Sequence, residues 1–149
     1  MKIRSVNLND LDSMVAIEAL GIEDPWTRKQ LAESIQNHRI RIAENETGIV
    51  GFLIYSTVLD ESELLQVIVL PQYRRQGIGK SLMLDFFQEL QTQQVEICFL
   101  EVRKSNEKAQ SLYLKLGFKS IGVRRNYYKT PTGKEDAIIM RKELSVSPQ

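Results

Sequence analysis

The stretch ELLQVIVLPQYRRQGIGK, residues 63–80, joins an apolar run to a basic, glycine-rich turn. Its first half predicts a strand over Glu63–Val69, and the amphipathic segment after the turn, from Gly79 to about Gln91, predicts a helix. Glycines allow a backbone to approach a ligand closely. The unpaired N–H groups at the start of the helix form an anion site, which three positive side chains would strengthen: Arg74, Arg75 and Lys80. A pyrophosphate group is the ligand that such a turn suits best.

Two common nucleotide-binding loops are excluded by single residues. A dinucleotide-binding fingerprint requires a third glycine at the position of Leu82, and a Walker loop requires a glycine at the position of Arg74. From the residues alone, the alternative that stays open is an ordinary turn between a strand and a helix, with arginines that lie in solvent.

The rest of the chain alternates between helical and strand periodicity, in the order β-α-α-β-β-β-α-β-α-β-β. Thr27 and Gln30 have the spacing of a capping box at the start of the second helix. Val95–Val102 is an almost continuous apolar run, which predicts a strand buried on both faces. The last two strands are predicted over Phe118–Val123 and Asp136–Arg141, with a long connection between them.

This order predicts an α/β fold with an α+β mixed sheet, in a single domain over residues 1–144. The sheet is expected to be mostly antiparallel, with one parallel strand–helix–strand crossover and with helices on both faces. Residues 145–149 are predicted to form a flexible tail.

Composition excludes several classes of protein. Twenty basic and nineteen acidic residues leave a formal charge of +1, which gives no support to a nucleic-acid partner. The chain shows no apolar stretch of membrane-spanning length and no signal peptide, so a cytoplasmic protein without a membrane partner is expected. Its single cysteine, Cys98, excludes an internal disulfide, and together with its single histidine, His38, it cannot form a thiolate-rich zinc site. No metal is expected.

Two polar residues in the second half of the chain are candidates for acid–base chemistry. Glu101 lies near the end of an apolar strand, where a carboxylate is costly to ionise unless it is paired. A structural ion pair with Arg103 or a lysine is the alternative. Tyr113 lies seven residues after Asn106, so the two share one face of a helix. Tyr113 could equally extend the apolar stripe of that helix.

A third block, Arg124-Arg125-Asn126-Tyr127-Tyr128, combines two arginines with two tyrosines. These side chains are able to recognise a peptide backbone or acidic groups. As a bare cluster of charges and aromatic rings, the block is also typical of a solvated hairpin end.

The turn from Arg74 to Gly79 resembles the Q/R-x-x-G-x-G/A loop of the GNAT superfamily of N-acetyltransferases, and the predicted order of elements resembles the fold of that superfamily. The resemblance implies acetyl-CoA as co-substrate. It implies that the backbone amides of Val67, Ile68 and Val69 hold the pantetheine arm of the coenzyme. The pyrophosphate would be held by the loop residues Arg75, Gln76, Gly77, Ile78, Gly79 and Lys80.

The blocks around Glu101, Tyr113 and Arg124–Tyr128, together with Pro25-Trp26-Thr27, resemble the bacterial RimI-type branch, which acetylates the N-terminal alanine of a small-subunit ribosomal protein. By this resemblance Glu101 is the general base, Tyr113 is the general acid, and Asn106 contacts the coenzyme. Substrate contacts fall on Arg124, Arg125, Tyr127 and Tyr128. The alternatives are other protein N-termini, lysine side chains or a small-molecule amine as acceptor, or a non-catalytic CoA-binding module.

Overall fold

A computed structural model of the chain describes residues 1–21 and 24–144. Within them the strands and α-helices follow one another in the predicted order, with short 3-10 turns at Leu8–Asp10 and Pro71–Tyr73. The elements are β1 Lys2–Ser5, α1 Leu11–Gly21, α2 Arg28–Asn37, β2 Arg39–Asn45, β3 Gly48–Val58, β4 Glu61–Val69, α3 Ile78–Thr92, β5 Ile97–Arg103, α4 Glu107–Lys115, β6 Lys119–Thr130 and β7 Gly133–Glu143. The predicted flexible tail, residues 145–149, lies outside the described residues.

One mixed sheet organises these elements, in the spatial order β1-β2-β3-β4-β5-β7-β6. Among the strand pairs of this sheet, β4 and β5 run parallel and the others run antiparallel. The helix α3 connects the two parallel strands, as the crossover required for a parallel pair. The predicted mixed sheet with one strand–helix–strand crossover is therefore confirmed.

The parallel pair is short, and the two strands then separate. Their pairing runs from Glu61 opposite Ile97 to Leu64 opposite Leu100. Beyond this point β4 stays paired with β3, and β5 stays paired with β7. A register shift in the β3–β4 pair leaves Leu65 without an opposite residue, which is a bulge that bends the strand. A wedge therefore opens between β4 and β5 in the middle of the sheet.

Helices cover both faces of the sheet, as predicted. On one face α3 buries an apolar stripe against alternate residues of β3 and β5, which include Leu53, Cys98 and Leu100. On the other face Met14, Ile17 and Leu31 from α1 and α2 pack on the intervening residues, which include Phe52 and Ile54. This alternation follows from the period of two in a strand. The predicted capping box between Thr27 and Gln30 holds the start of α2.

Two predictions about the C-terminal half were wrong in detail. The strand β5 is buried on one face and half-buried on the other, because α1 and α2 pack over β2 to β4 and leave β5 partly uncovered. The last hairpin has longer strands than predicted and a tight connection at Pro131-Thr132. The polar residues of this hairpin form part of the β6–β7 pairing, although the sequence there does not alternate between apolar and polar residues. As a result, the block Arg124–Tyr128 lies inside β6 rather than at a hairpin end.

No helix within residues 1–21 and 24–144 combines the length and the apolar character that crossing a membrane requires.

Gly51 is expected to tolerate a side chain poorly, because the backbone of β4 approaches its Cα closely. A Cβ at this position would meet the carbonyl oxygen of Ile68 at 2.7 Å and the Cα of Val69 at 3.3 Å, both backbone atoms. We predict that Gly51→Ala lowers the free energy of unfolding by about 1–3 kcal/mol, since relief requires β3 and β4 to shift. Urea unfolding measures this change.

The matched control is Gly122→Ala, because a Cβ there would make only an ordinary contact of 3.8 Å with the side chain of Ile139. This variant should unfold at the same urea concentration as the parent protein, within error. Equal stability of the Gly51 and Gly122 variants would contradict the prediction.

Candidate active site

The wedge between β4 and β5 opens into a cleft of about 550 Å³. The β4 wall is formed by residues 65–67, and the opposite wall comes from β5 and α4. Asp24, Pro25 and Trp26, which precede α2, close one end. The polar and aromatic side chains that line the cleft include Asp24, Trp26, Gln66, Glu101, Tyr113 and Tyr128. The fold therefore gathers two predicted acid–base residues, Glu101 and Tyr113, at one cavity.

A shallower groove of about 310 Å³ adjoins the cleft at Glu101 and runs along the beginning of the parallel pair. Glu63 and Phe99 are among the residues that line it. Burial, followed by the nearby charge of Glu101, raises the pKa of the Glu63 carboxyl group. Glu101 is thus the residue shared by both cavities.

The glycine-rich turn lies at the start of α3, as predicted. Gly77 is the N-cap of this helix with φ 79°, and Arg75 also has a positive φ of 66°. Both values lie in the left-handed region, which favours glycine at position 77. The N–H of Ser81 donates to the carbonyl oxygen of Gly77 at 2.9 Å and begins the helical ladder. The amides of the preceding turn lie at the positive end of the helix dipole, in the arrangement that suits a phosphate group.

The side chain of Arg74 differs from expectation. It donates from Nη2 to the carbonyl oxygen of Gly21 at 2.7 Å and from Nε to the carbonyl oxygen of Val69 at 3.2 Å. Its charge therefore lies at the C-terminus of α1, where a helix dipole favours a cation. Arg74 joins the end of α1 to the end of β4 instead of adding its charge to the turn. Nothing in the local sequence indicates this partner.

The edge of β4 that faces β5 has no strand partner after Leu64. Val67, Ile68 and Val69 remain paired with β3 on the other side. Ile68 is buried on the α1 face of the sheet, and Val67 lines the cleft. An unpaired strand edge presents free backbone N–H and C=O groups to a ligand. The strand predicted to hold the coenzyme, β4, therefore exposes backbone N–H and C=O groups that could bond to an extended amide chain such as pantetheine.

Glu101 is paired with an arginine, although not with the one that the sequence indicated. Its Oε1 accepts a hydrogen bond of 2.7 Å from Nη1 of Arg124, and its side chain is 19% exposed. The neighbouring Arg103 instead pairs with Glu135 at 3.0 Å. Arg124 is itself 51% exposed, and its guanidinium lies 4.1 Å above the ring of Tyr127. Glu101 therefore has a cationic partner that is open to solvent.

Tyr113 lies on α4 with its ring packed edge-on against Phe118. It is 8% exposed, and burial raises the pKa of its phenol to about 12. The phenol is consequently protonated throughout the neutral pH range. Asn106 is the N-cap of the same helix, and its Oδ1 accepts from the N–H of Ala109 at 3.1 Å. This bond uses one of the two lone pairs of Oδ1, and the amide nitrogen of Asn106 is the group that could donate to a ligand.

The block Arg124–Tyr128 is shaped by a bulge in β6. Within it Asn126 has a positive φ of 56°, and its N–H donates to Oδ1 of Asp136 at 2.9 Å. Tyr128 lines the cleft beneath the guanidinium of Arg103, which lies 4.3 Å from its ring. Burial raises the pKa of the Tyr128 phenol to about 12. Tyr127 packs edge-on against Tyr128.

The predicted substrate residues are therefore not equivalent. Tyr128 lines the cleft, Arg124 reaches it through Glu101, and Tyr127 supports both of these side chains. Arg125 is exposed and does not line the cleft. Arg124 is opposite Ala137 and Tyr128 is opposite Glu135, so the bulge keeps these two side chains on the same face of the strand.

Sequence reasoning missed a buried polar group beside the cleft. Glu18 on α1 is hydrogen-bonded to the Nε2 of Gln66 and to the backbone N–H of Trp26. The available signal was a glutamate within the apolar face of a predicted helix. Cys98, by contrast, lies in the core with 0% exposure, and burial raises the pKa of its thiol to about 12. A protonated, inaccessible thiol is a packing group rather than a nucleophile.

Comparisons with known proteins agree with this geometry. The family model described as the acetyltransferase (GNAT) family matches residues 7–118. The ribosomal protein bS18-alanine N-acetyltransferase of Escherichia coli K12 is 38% identical over 145 residues, which cover 97% of this chain and 98% of that one. The protein of the same description from Haemophilus influenzae is 36% identical over 142 residues, with 93% and 95% covered.

Solved structures give the same result. The crystal structure of the ribosomal-protein-S18-alanine N-acetyltransferase from Escherichia coli superposes with a TM-score of 0.93 at 36% identity, and the match covers 99% of this chain and 96% of that one. A ribosomal-protein-alanine N-acetyltransferase from Brucella melitensis gives a TM-score of 0.84 at 23% identity, with 97% and 100% covered, which is a likeness of fold.

Proposed function

The chain belongs to the GNAT family of acetyltransferases, and on that premise we propose that it transfers the acetyl group of acetyl-CoA to the N-terminal alanine amine of a small-subunit ribosomal protein. A ribosomal-protein acceptor would place the reaction in the cytoplasm. The similarity to the bS18-specific enzymes supports this acceptor because it extends over almost the whole length of both chains.

The arrangement of the cleft is the observation that carries the proposal. On one side lies the open edge of β4; the glycine-rich turn follows this strand at the start of α3, outside the residues that line the cleft. Strand edge and turn together suit an extended coenzyme with a pyrophosphate. On the other side lie Trp26 and Tyr128, where we place the acceptor peptide. Glu101 and Tyr113 line the cavity between the two sides. A module that only bound CoA would have no need for this pair.

In the proposed mechanism Glu101 removes a proton from the acceptor. An α-amino group has a pKa of about 8, so at neutral pH most of it is protonated and cannot attack. The incoming ammonium group competes with Arg124 for the carboxylate of Glu101. Arg124 can yield because it is half-exposed and keeps its contact with the ring of Tyr127. Glu101 then accepts the proton, directly or through a water molecule.

The free amine attacks the thioester carbonyl in a direct transfer that needs no protein nucleophile. Backbone N–H groups on the open edge of β4, near Val67 and Val69, stabilise the oxygen on which negative charge develops. The thiolate of CoA leaves and takes a proton from Tyr113. A thiol has a pKa of about 8.5, so Tyr113, whose pKa is higher, is the weaker acid, and its proton transfer to the thiolate is uphill. The second proton of the attacking amine, which leaves as the tetrahedral intermediate collapses, restores the phenol. Tyr113 therefore assists thiol release without being essential to it.

Replacing Glu101 by Gln should impair the proton-removal step. We predict that Glu101→Gln lowers kcat/KM for the acceptor by about 10²–10⁴-fold near pH 6–7. The defect should shrink above about pH 9, because the amine is then mostly free. The dissociation constant for acetyl-CoA should change by less than about threefold. A pH series of initial rates, with calorimetry for acetyl-CoA, measures both quantities.

The matched control is Glu96→Gln, an exposed glutamate just before the other end of β5. It should behave as the parent enzyme throughout the series. An equal loss of activity at every pH, or no loss at all, would remove Glu101 from the role of base.

Replacing Tyr113 by Phe tests the proposed acid while the ring contact with Phe118 is retained. We predict that Tyr113→Phe lowers kcat by about 10–100-fold at neutral pH. The loss should be smaller above about pH 9, where the thiolate is a stable product. Tyr55→Phe is the control, because it deletes a buried hydroxyl that is bonded to Gln93 in the core. If the Tyr113 and Tyr55 variants were equally active, Tyr113 would be a packing residue.

The choice of acceptor is tested by peptides offered together with acetyl-CoA. One set begins with alanine, serine or methionine, and one peptide has a blocked N-terminus and an internal lysine. We predict that the alanine peptide of a small-subunit ribosomal protein has the highest kcat/KM, with the acetyl group on its α-nitrogen by tandem mass spectrometry. Acetylation confined to the lysine peptide, or to a small amine, would overturn the proposed acceptor.

A further inference from the structure

Glu18 is a buried carboxyl group that the proposed chemistry does not use. It is 1% exposed and lies on the same buried side of α1 as Met14 and Ile17. Burial is the main cause that raises its pKa above the ordinary value of 4.5, and hydrogen bonds from Trp26 and Gln66 act in the opposite direction. Desolvation disfavours a charged carboxylate, so this environment favours the neutral acid.

The buried oxygens around Glu18 point to the same protonation state. Its Oε1 accepts from Nε2 of Gln66 at 2.7 Å and from the backbone N–H of Trp26 at 3.0 Å. Two further oxygens, Oε2 of Glu18 and Oε1 of Gln66, are buried and have no donor among the described residues. A carboxylate oxygen can only accept, whereas a proton on Oε2 makes it a donor. A neutral Glu18 thus brings a hydrogen atom to a place that otherwise holds only unpaired acceptors.

The pair joins two walls of the cleft. Gln66 follows the bulge of β4, and Trp26 belongs to the α1–α2 connection; both line the cavity. The other end of this connection is held at Gly21 by Arg74. Glu18 thus ties Trp26 to Gln66 of β4, and Arg74 ties Gly21 to the end of β4.

We propose that Glu18, as a neutral carboxylic acid, is a positioning residue that fixes Trp26 against β4 and so sets the acceptor side of the cleft. The proposal rests on the proposed function, because it concerns how the acceptor is bound. Glu18 acts through Trp26 and Gln66 and is not a group that reacts.

The charged groups around Glu18 do not change its assignment as a neutral acid. They are Asp24 in the α1–α2 connection, Arg74 after β4, and Glu101 and Arg103 on β5, together with the exposed ion pair of Asp12 and Arg28 between α1 and α2. None of them is among the causes of the shift in the Glu18 pKa.

The first arm of the test measures protonation by thermal unfolding and uses no substrate. Glu18→Gln replaces the neutral acid by an amide of the same shape, whose oxygen can accept from Gln66 and Trp26 and whose NH₂ group replaces the acid O–H as a donor. A carboxyl group whose pKa is higher in the folded protein than in the unfolded chain makes its full contribution to stability at pH values below its pKa in the unfolded chain, which is 4.5. This contribution is lost as the pH rises through the pKa that the group has in the folded protein.

The variant should therefore match the parent Tm near pH 4.5 and exceed it by at least about 3 °C near pH 8. A Tm difference that does not depend on pH, or a variant less stable than the parent at the higher pH, would overturn the neutral assignment.

The second arm measures positioning by steady-state kinetics with the acceptor. Glu18→Leu keeps the volume of the side chain and removes the acceptor for the Trp26 N–H. We expect its KM for the acceptor to rise by about tenfold or more, with kcat and the acetyl-CoA dissociation constant within about threefold of the parent. Glu18→Gln should retain the parent KM. An equal rise in KM for both variants, or none for Glu18→Leu, would overturn the proposal.

A third measurement separates positioning from stability. Replacing both members of a buried polar pair by apolar residues can be nearly neutral, so Glu18→Leu combined with Gln66→Leu should recover much of the Tm lost by Glu18→Leu alone. The acceptor KM should stay above that of the single Gln66→Leu variant, because the Trp26 N–H still lacks its partner. A KM that recovers together with the Tm would show a structural role only.

The arms also separate failure of this inference from failure of the proposed function. The unfolding series does not depend on which acceptor is correct. If the peptide series identifies a different amine as the acceptor, the KM comparison is made with that amine.

Discussion

The separation of β4 and β5 is the constraint on which the rest of the molecule depends. The two strands pair in parallel for only a few residues, and each then remains with its antiparallel neighbour. The bulge at Leu65 bends β4 away, and the ladder between β5 and β7 holds β5 in place. Since backbone groups buried in a core must be paired, such a gap persists only where a ligand or solvent can satisfy them. The wedge is therefore the part of the sheet at which the backbone is open to a ligand.

The polar groups around the wedge are held by partners drawn from distant parts of the sequence. Arg124 on β6 reaches Glu101 on β5, and Arg103 covers Tyr128. Arg74, from the turn before α3, holds the end of α1. The first two contacts fix side chains of β6 against β5, and the third fixes α1 against the end of β4. The proposed chemistry requires this rigidity, because a misplacement of the reacting atoms by about 1 Å can cost about 10²-fold in rate.

Glu101, which lines the cleft, and Glu18, which is buried beside it, differ in environment and hence in the roles that we assign to them. Glu101 has a cationic partner and access to solvent, which suits a group that must accept and release a proton. Glu18 is enclosed among apolar side chains and amides, which suits a group that stays neutral and holds a loop. The difference follows from their positions: Glu101 lies on the partly uncovered face of β5, whereas Glu18 lies under the helices that cover β2 to β4.

The sequence by itself determined the order of the elements, the mixed sheet, the helix caps and the turn before α3, because all of these follow from local periodicity and from the requirements of glycine and capping residues. It also indicated Glu101 and Tyr113 as a pair. Only the tertiary structure decided that Arg124 rather than Arg103 pairs with Glu101, that Arg74 serves α1 rather than the turn, and that Glu18 and Gln66 meet. The physical reason is that these contacts join residues far apart in the chain, through a bulge in β6 and the parting of β4 from β5, and neither feature leaves a periodic signal in the sequence.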